Sequence, residues 1–247
     1  MSEYSGGRRV AAWTAIVLGV TGLVVSGYGL AKQVLPRRFS AAQQQALAEW
    51  QVGGRWRDIP AGALFPATIG YQLPDAVVVA DPPLPLSAQR IAIAPQAACT
   101  NAVASAVLAL RQAGCEAVLR ATYEDETRSF LMTVGVAVLP SASAADSVAH
   151  VVATDLSAQQ NGIALAAHLA GWRFYDYSRQ LSSVLTAGPY LVMFSAGYAD
   201  GRPRVQLDHD SYAQAEISSM ADGVAQAIAR TLGTPPPPAR CPGSPGC

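Results

Sequence analysis

The chain has 247 residues, 51% of them hydrophobic and 14% charged, with 17 basic and 17 acidic side chains. High apolar content with low charge excludes an intrinsically disordered chain, and the balanced charge argues against nucleic-acid binding, which depends on clustered positive charge. Five basic residues but only one acidic residue precede position 40, so residues 40–247 carry 12 basic and 16 acidic side chains. We expect this acidic body to be repelled by anionic lipid and by phosphate.

Residues 10–31 form an uncharged apolar run flanked by basic residues. As a helix the run is about 33 Å long, enough to cross a hydrocarbon core of about 30 Å. Trp13 and Tyr28 lie near its ends, where aromatic belts form. The run predicts an uncleaved transmembrane signal anchor that follows a short cytoplasmic tail at residues 1–9.

Two alternatives to this anchor remain open. A buried core helix of this length without a strongly polar side chain is unusual. A cleaved signal peptide fits the basic start and the small residues of Gly29-Leu30-Ala31, but its apolar region is usually only about 7–15 residues long. The basic flanks on the two sides are nearly balanced, so the orientation of the anchor depends on the cysteines.

Residues 32–68 are predicted to form a juxtamembrane helix and loop. Ser40 is a favourable N-cap, and the residues after it favour helix. Gly53-Gly54 is predicted to end this helix, with a loop over residues 56–62.

The predicted extracytoplasmic domain spans residues 69–233. Helices are expected over residues 101–112, 141–152 and 211–232, the last with apolar residues at helical spacing. Strands are expected at residues 69–73, 76–79, 89–94, 117–123, 130–139, 172–177, 180–187 and 190–199. A hairpin followed by a helix thus occurs twice, at 117–152 and at 180–232, which suggests a duplication. The pattern predicts an α+β fold, an antiparallel sheet with helices packed on one face, preceded by one transmembrane helix.

The four cysteines are Cys99, Cys115, Cys241 and Cys247, and they allow three pairings. We favour Cys99 with Cys115, because the chain can double back along a short helix, and Cys241 with Cys247, because two Pro-Gly pairs lie between them. The second pair would close a loop in a proline-rich tail at residues 234–247. Disulfides form outside the reducing cytoplasm, so this pairing places residues 40–247 there. The alternative is four thiols in a cytoplasmic domain.

The densest polar cluster is Asp208-His209-Asp210, which can be read as an acid–base site or as the cap of the helix that follows. Capping is the favoured reading, and we assign no catalytic residue, no metal ligand and no cofactor. Glu124-Asp125-Glu126 has oxygen ligands suited to Ca²⁺, but such a charged turn is usually only solvated.

Four aromatic residues of the strand predicted at 172–177 are weak candidates for a binding surface, because alternate residues face opposite sides of a strand. The alternative is that the rest of the protein covers both faces of this strand, which leaves no binding surface. These residues are Trp172, Phe174, Tyr175 and Tyr177.

The run WRDIPAG at residues 56–62, the run LRATY at 119–123 and the closing cysteine loop resemble uncharacterised membrane-anchored extracytoplasmic proteins of actinobacteria. The resemblance covers nearly the whole chain and implies location and architecture only. Residues 189–232 are similar to small ectodomains of bacterial sensor kinases and lipoproteins, but no lipobox cysteine is present.

These observations predict a single-pass protein of the cell membrane, attached through residues 10–31, with its C-terminal domain outside the cytoplasm. We expect that domain to be a binding or interaction module for a ligand or a protein partner of the cell envelope, and not a nucleic-acid binder. The alternative is an envelope hydrolase that uses Asp208, His209 or Asp210.

Overall fold

The computed structural model describes residues 40–74, 85–103, 106–155, 178–204 and 211–235. Within these ranges, no helix has both the length and the apolar character needed to span a membrane. The anchor predicted at residues 10–31 and the tail cysteines, Cys241 and Cys247, lie outside the described residues. Ala46–Pro236 form one compact unit, and Met1–Gln45 with Pro237–Cys247 form a second, of which only residues 40–45 are described.

Six antiparallel strands form one sheet in the order β1-β2-β3-β4-β6-β5, which confirms the α+β class. The strands are β1 (Thr68–Tyr71), β2 (Leu86–Ala97), β3 (Ala117–Asp125), β4 (Phe130–Val138), β5 (Arg179–Ala187) and β6 (Tyr190–Tyr198). The described helices are α1 (Ala41–Asp58), α2 (Ala61–Leu64), α3 (Cys99–Ala102), α4 (Val107–Gln112), α5 (Ala142–Thr154) and α6 (Ser211–Gly233).

Two hairpins predicted from the sequence form the centre of the sheet. β3 and β4 pair from Ala117↔Val138 to Glu124↔Leu131, and β5 pairs with β6 through a turn at Gly188, whose φ is 60°. That positive φ is readily adopted only by glycine, which fixes the turn between these two strands. The inner strands of the hairpins, β4 and β6, then pair with each other over their whole length.

Helices pack on both faces of the sheet, so the prediction of helices on one face was wrong. Val134 and Val136 belong to a core cluster with α1, α2 and α6, whereas Ala137 belongs to a second cluster with α3, α4 and α5. Because alternate residues of a strand face opposite sides, these clusters lie on opposite faces. All nine residues of β4 are buried. The helices that follow the two hairpins, α5 and α6, lie on opposite faces, so the two units do not repeat the same packing.

Helix α1 continues through Gly53-Gly54 to Asp58, so the prediction that it ends at the glycines was also wrong. Its start is as predicted, because the Gln43 N–H donates to Ser40 Oγ (3.3 Å) and the Ser40 N–H donates to Gln43 Oε1 (3.0 Å). This reciprocal pair is a capping box. Tertiary packing of the second half of α1 outweighs the cost of two glycines, which is about 1 kcal/mol each in a helix.

A disulfide joins Cys99 and Cys115, as predicted, with their Cα atoms 6.2 Å apart. Two short helices, α3 and α4, stand where one helix over 101–112 was expected. The chain reverses at Gly114, whose φ is 76°, and the Cys115 N–H donates to Leu110 O (3.0 Å). This reversal brings the two cysteines within the roughly 7 Å limit for a bridge.

Candidate functional site

An apolar groove lies between the end of α1, helix α2 and strand β2. Its volume is about 720 Å³, within the range of about 300–1,000 Å³ that is typical of ligand sites. Its lining includes Trp56, Ala61, Phe65, Ile93, Gln96 and Leu119. We call this feature the α1–β2 groove.

The helical wall of the groove begins at Trp56, which packing has brought into α1 rather than into a loop. The Tyr190 hydroxyl donates to Val52 O (2.5 Å) and accepts from the Trp56 N–H (3.2 Å). It therefore sits between the two backbone groups that an α-helix joins directly, and it fixes α1 to the sheet. Burial raises the pKa of the Tyr190 hydroxyl, which stays neutral and can donate and accept.

Helix α2 is held against the sheet by two side chains. The Arg90 guanidinium donates to the carbonyl oxygens of Gly62 and Phe65, and the Tyr123 hydroxyl donates to Pro66 O (3.1 Å). These bonds satisfy carbonyl groups at the end of a helix, which have no partner within it. The α2 part of the helical wall is thus positioned by residues from β2 and β3.

The indole N–H of Trp56 is a buried donor in this wall. The residue is 9% exposed, and no acceptor in the part of the chain that the structure describes is within hydrogen-bonding distance of its Nε1 atom. The Arg57 guanidinium lies 4.8 Å from the centroid of the Trp56 ring and donates to Glu116 Oε1 (2.5 Å). A buried donor without an acceptor costs about 1–3 kcal/mol, which the packing of the indole ring must outweigh.

A cluster of acidic groups lies at the opposite end of β3, where Asp125, Glu216 and Tyr71 are all nearly fully buried. The Tyr71 hydroxyl donates to Glu216 Oε1 (3.4 Å). Burial, and then the charge of Asp125, raise the pKa of Glu216. The described residues contain no group of three His, Cys, Asp or Glu side chains able to hold a metal ion.

The charged turn predicted at Glu124-Asp125-Glu126 is not merely solvated. Asp125 is 1% exposed, and its carboxylate accepts from the Phe130 N–H (2.6 Å) and the Thr127 N–H (2.9 Å). These bonds organise the β3–β4 turn, so Asp125 is a structural residue.

The site residues singled out in the sequence fall outside the described residues: Asp208-His209-Asp210 and the aromatic residues Trp172, Phe174, Tyr175 and Tyr177. Sequence reasoning missed the groove, because its lining comes from three separate segments that carry no shared motif.

Comparisons of the chain with family models, with curated proteins and with solved structures found no match. Similarity therefore contributes nothing to the assignment of function, which rests on the groove and on the disulfide.

Proposed function

We propose that this chain is a single-pass membrane protein whose α+β domain lies outside the cytoplasm and binds a partner or ligand of the cell envelope through the α1–β2 groove. The α+β domain supplies the scaffold, and the groove supplies the site. The anchor would be residues 10–31.

The disulfide supports the location. A bridge between Cys99 and Cys115 persists in an oxidising compartment, and cytosolic proteins rarely keep one. The uncharged run at residues 10–31 supplies an anchor of sufficient length, and the acidic body that follows favours distance from anionic lipid.

The observation that carries the binding function is the groove itself, a cleft of about 720 Å³ with Trp56 in its wall. Its other lining is mainly apolar, including the buried Phe65 and the partly buried Ile93. Ligand sites typically combine an apolar lining with a few polar groups that orient the ligand, and this groove has that composition.

Site-specific photocrosslinking in intact cells tests this proposal. A crosslinking amino acid replaces Gln96, an exposed residue of the groove, and in a matched variant it replaces Ser147, an exposed residue of α5 on the other face of the sheet. We expect a discrete adduct from position 96 that is absent from position 147. Adducts at neither position, or the same adducts at both, would contradict a groove-specific function.

A further inference from the structure

We infer that the α1–β2 groove takes an extended peptide segment of a partner protein, which adds to the sheet as a strand along β2. This inference rests on the proposed function and names the chemistry of its ligand: main-chain amides with apolar side chains at alternate positions.

The groove lies along β2, and the four consecutive residues 93–96 of this strand contribute to its lining. Leu119 on β3, which packs with Ile93 against the first core cluster, forms the floor on one side.

The strand next to β2 stops where the groove begins. β1 pairs with β2 from Tyr71↔Leu86 to Thr68↔Gln89, and Ala67 O accepts one more bond from the Arg90 N–H (2.8 Å). The preceding residues turn away into α2. Along the line of β1, the position beside residues 91–97 of β2 is therefore occupied by the groove and by no strand of the described ranges.

An open strand edge presents main-chain N–H and C=O groups that favour another strand. Peptides bind such edges through main-chain hydrogen bonds and place alternate side chains in adjacent pockets. Here the apolar floor at Ile93 and Leu119 would take those side chains. Arg57 and Glu116 pair with each other at the rim, so the groove favours an uncharged segment. An acyl chain would use the floor but would leave the strand edge unpaired.

Three features of β2 limit the added strand to a short segment. Pro95 has no N–H to donate, and the β2–β3 register shifts twice, between Arg90 and Ala92 and between Ala94 and Ala97. Natural proteins use proline and bulges to protect a sheet edge from uncontrolled pairing. Regular pairing is therefore confined mainly to residues 92–94, which suits a weak and reversible partner.

Hydrogen exchange measured on the full chain in lipid nanodiscs tests the inference. The probe is a mixture of acetylated, amidated heptapeptides in which Thr alternates with Val, Ile, Leu or Phe. Two further mixtures carry N-methyl groups, one on all Thr residues and one on all apolar residues. At a peptide concentration about ten times the dissociation constant, exchange of the edge amides within residues 91–97 should slow by about tenfold. In an added strand, the N–H groups of alternate residues point to opposite edges, so either the Thr residues or the apolar residues would donate to β2. Methylation of the donating set should abolish the protection, and methylation of the other set should leave it unchanged.

Matched variants assign the protection to the groove. Ala61→Trp fills the groove from the first residue of α2, and Ala142→Trp makes the same change at the first, exposed residue of α5. Protection should disappear in the first variant and persist in the second.

Three results would overturn the inference. The first is the absence of protection by the unmethylated peptides, or any other pattern with the two methylated mixtures. The second is protection by lauric acid but not by peptide, which would identify an acyl-chain groove and leave the proposed binding function standing. The third is protection of the β2 amides in the absence of peptide that increases with protein concentration. This result would show that a second copy of the chain pairs with the edge of β2. Failure of the proposed function itself is read separately, from the crosslinking at Gln96.

Discussion

The Tyr190 hydroxyl holds the end of α1, which lines the groove, against the sheet. It links Val52 O to the Trp56 N–H at the point where two glycines weaken α1. We expect Tyr190→Phe to lower the free energy of unfolding by about 1–2 kcal/mol, because two buried backbone groups lose their partner. Tyr198→Phe is the matched control, since the ring contact of Tyr198 with Phe130 (5.3 Å between centroids) remains. Urea unfolding followed by circular dichroism measures both, and equal effects would contradict the bridging role.

Glu216 gives the molecule a pH-dependent stability. Its pKa is raised in the folded state, first by burial and then by Asp125. The folded state therefore holds the proton more tightly than the unfolded chain, whose Glu pKa is about 4.3. The protonated Glu216 side chain therefore contributes fully to the free energy of unfolding below the unfolded-state pKa. This contribution is lost as the pH rises through the folded-state pKa.

Glu216→Gln should therefore raise the melting temperature at pH 7 and leave it nearly unchanged at pH 4. The Gln side-chain oxygen can still accept from the Tyr71 hydroxyl. Asp146→Asn, a charge removal at an exposed position of α5, should not reproduce this difference. Thermal unfolding between pH 4 and pH 8 checks both variants, and a destabilised Glu216→Gln protein at pH 7 would refute the assignment.

Among the helices, a Gly→Ala substitution should have opposite effects on the free energy of unfolding in α1 and in α6. A Cβ added at Gly54 in α1 meets no atom within 4 Å, whereas one at Gly223 in α6 would lie 2.8 Å from Tyr71 Cβ. Gly54→Ala should stabilise the protein by about 1 kcal/mol through helix propensity. Gly223→Ala should destabilise it by about 1–3 kcal/mol through overpacking. Denaturant unfolding gives both values, and a stabilised Gly223→Ala protein would show that the α6–β1 contact is looser than described.

The disulfide ties α3 to the start of β3 across a separation of 16 residues. In the chain-entropy model a loop of this size stabilises by about 3 kcal/mol. The double variant Cys99→Ser/Cys115→Ser should therefore have a lower melting temperature. The double variant Cys241→Ser/Cys247→Ser is the control, and we expect no change, because these residues fall outside the compact unit Ala46–Pro236. Calorimetry of the oxidised proteins measures both melting temperatures. A large decrease in the melting temperature of the second variant would show that the tail stabilises the domain.

Several elements were predictable from the sequence because a local pattern specifies them. The helical spacing of Ile217, Val224 and Ile228 predicts α6, and the hairpin predicted over 180–199 is formed by β5 and β6. The helix predicted at 141–152 is α5, where the Oγ of the N-cap Ser141 accepts from the Ala144 N–H (3.2 Å). The pairing of Cys99 with Cys115 also followed from the length of chain between them.

Three further features were not predicted. The continuation of α1 past Gly53-Gly54 depends on a contact distant in sequence, because the Tyr190 hydroxyl bonds Val52 O across a separation of 138 residues. The second helical layer had a local sign that we did not use: β4 is an almost unbroken apolar run, which is typical of a strand buried on both faces. The groove had no such sign, because its walls meet only in the folded chain.

At the scale of the whole molecule, the proposed function combines a membrane anchor, an oxidising compartment and a groove that binds a partner. Each of these proposals has a different basis: the apolar run at residues 10–31, the Cys99–Cys115 bridge, and the cleft beside β2. Accessibility of the groove in living cells depends on all three at once.

The most direct measurement is the rate at which a membrane-impermeant maleimide labels Gln96→Cys in intact cells, compared with the purified protein. Ser147→Cys, on the opposite face, is the reference. We expect both introduced thiols to be labelled in intact cells. Only the thiol in the groove should react more slowly there than after purification, because a partner covers it. Labelling of both thiols only after lysis would place the domain inside the cell and contradict the proposed function.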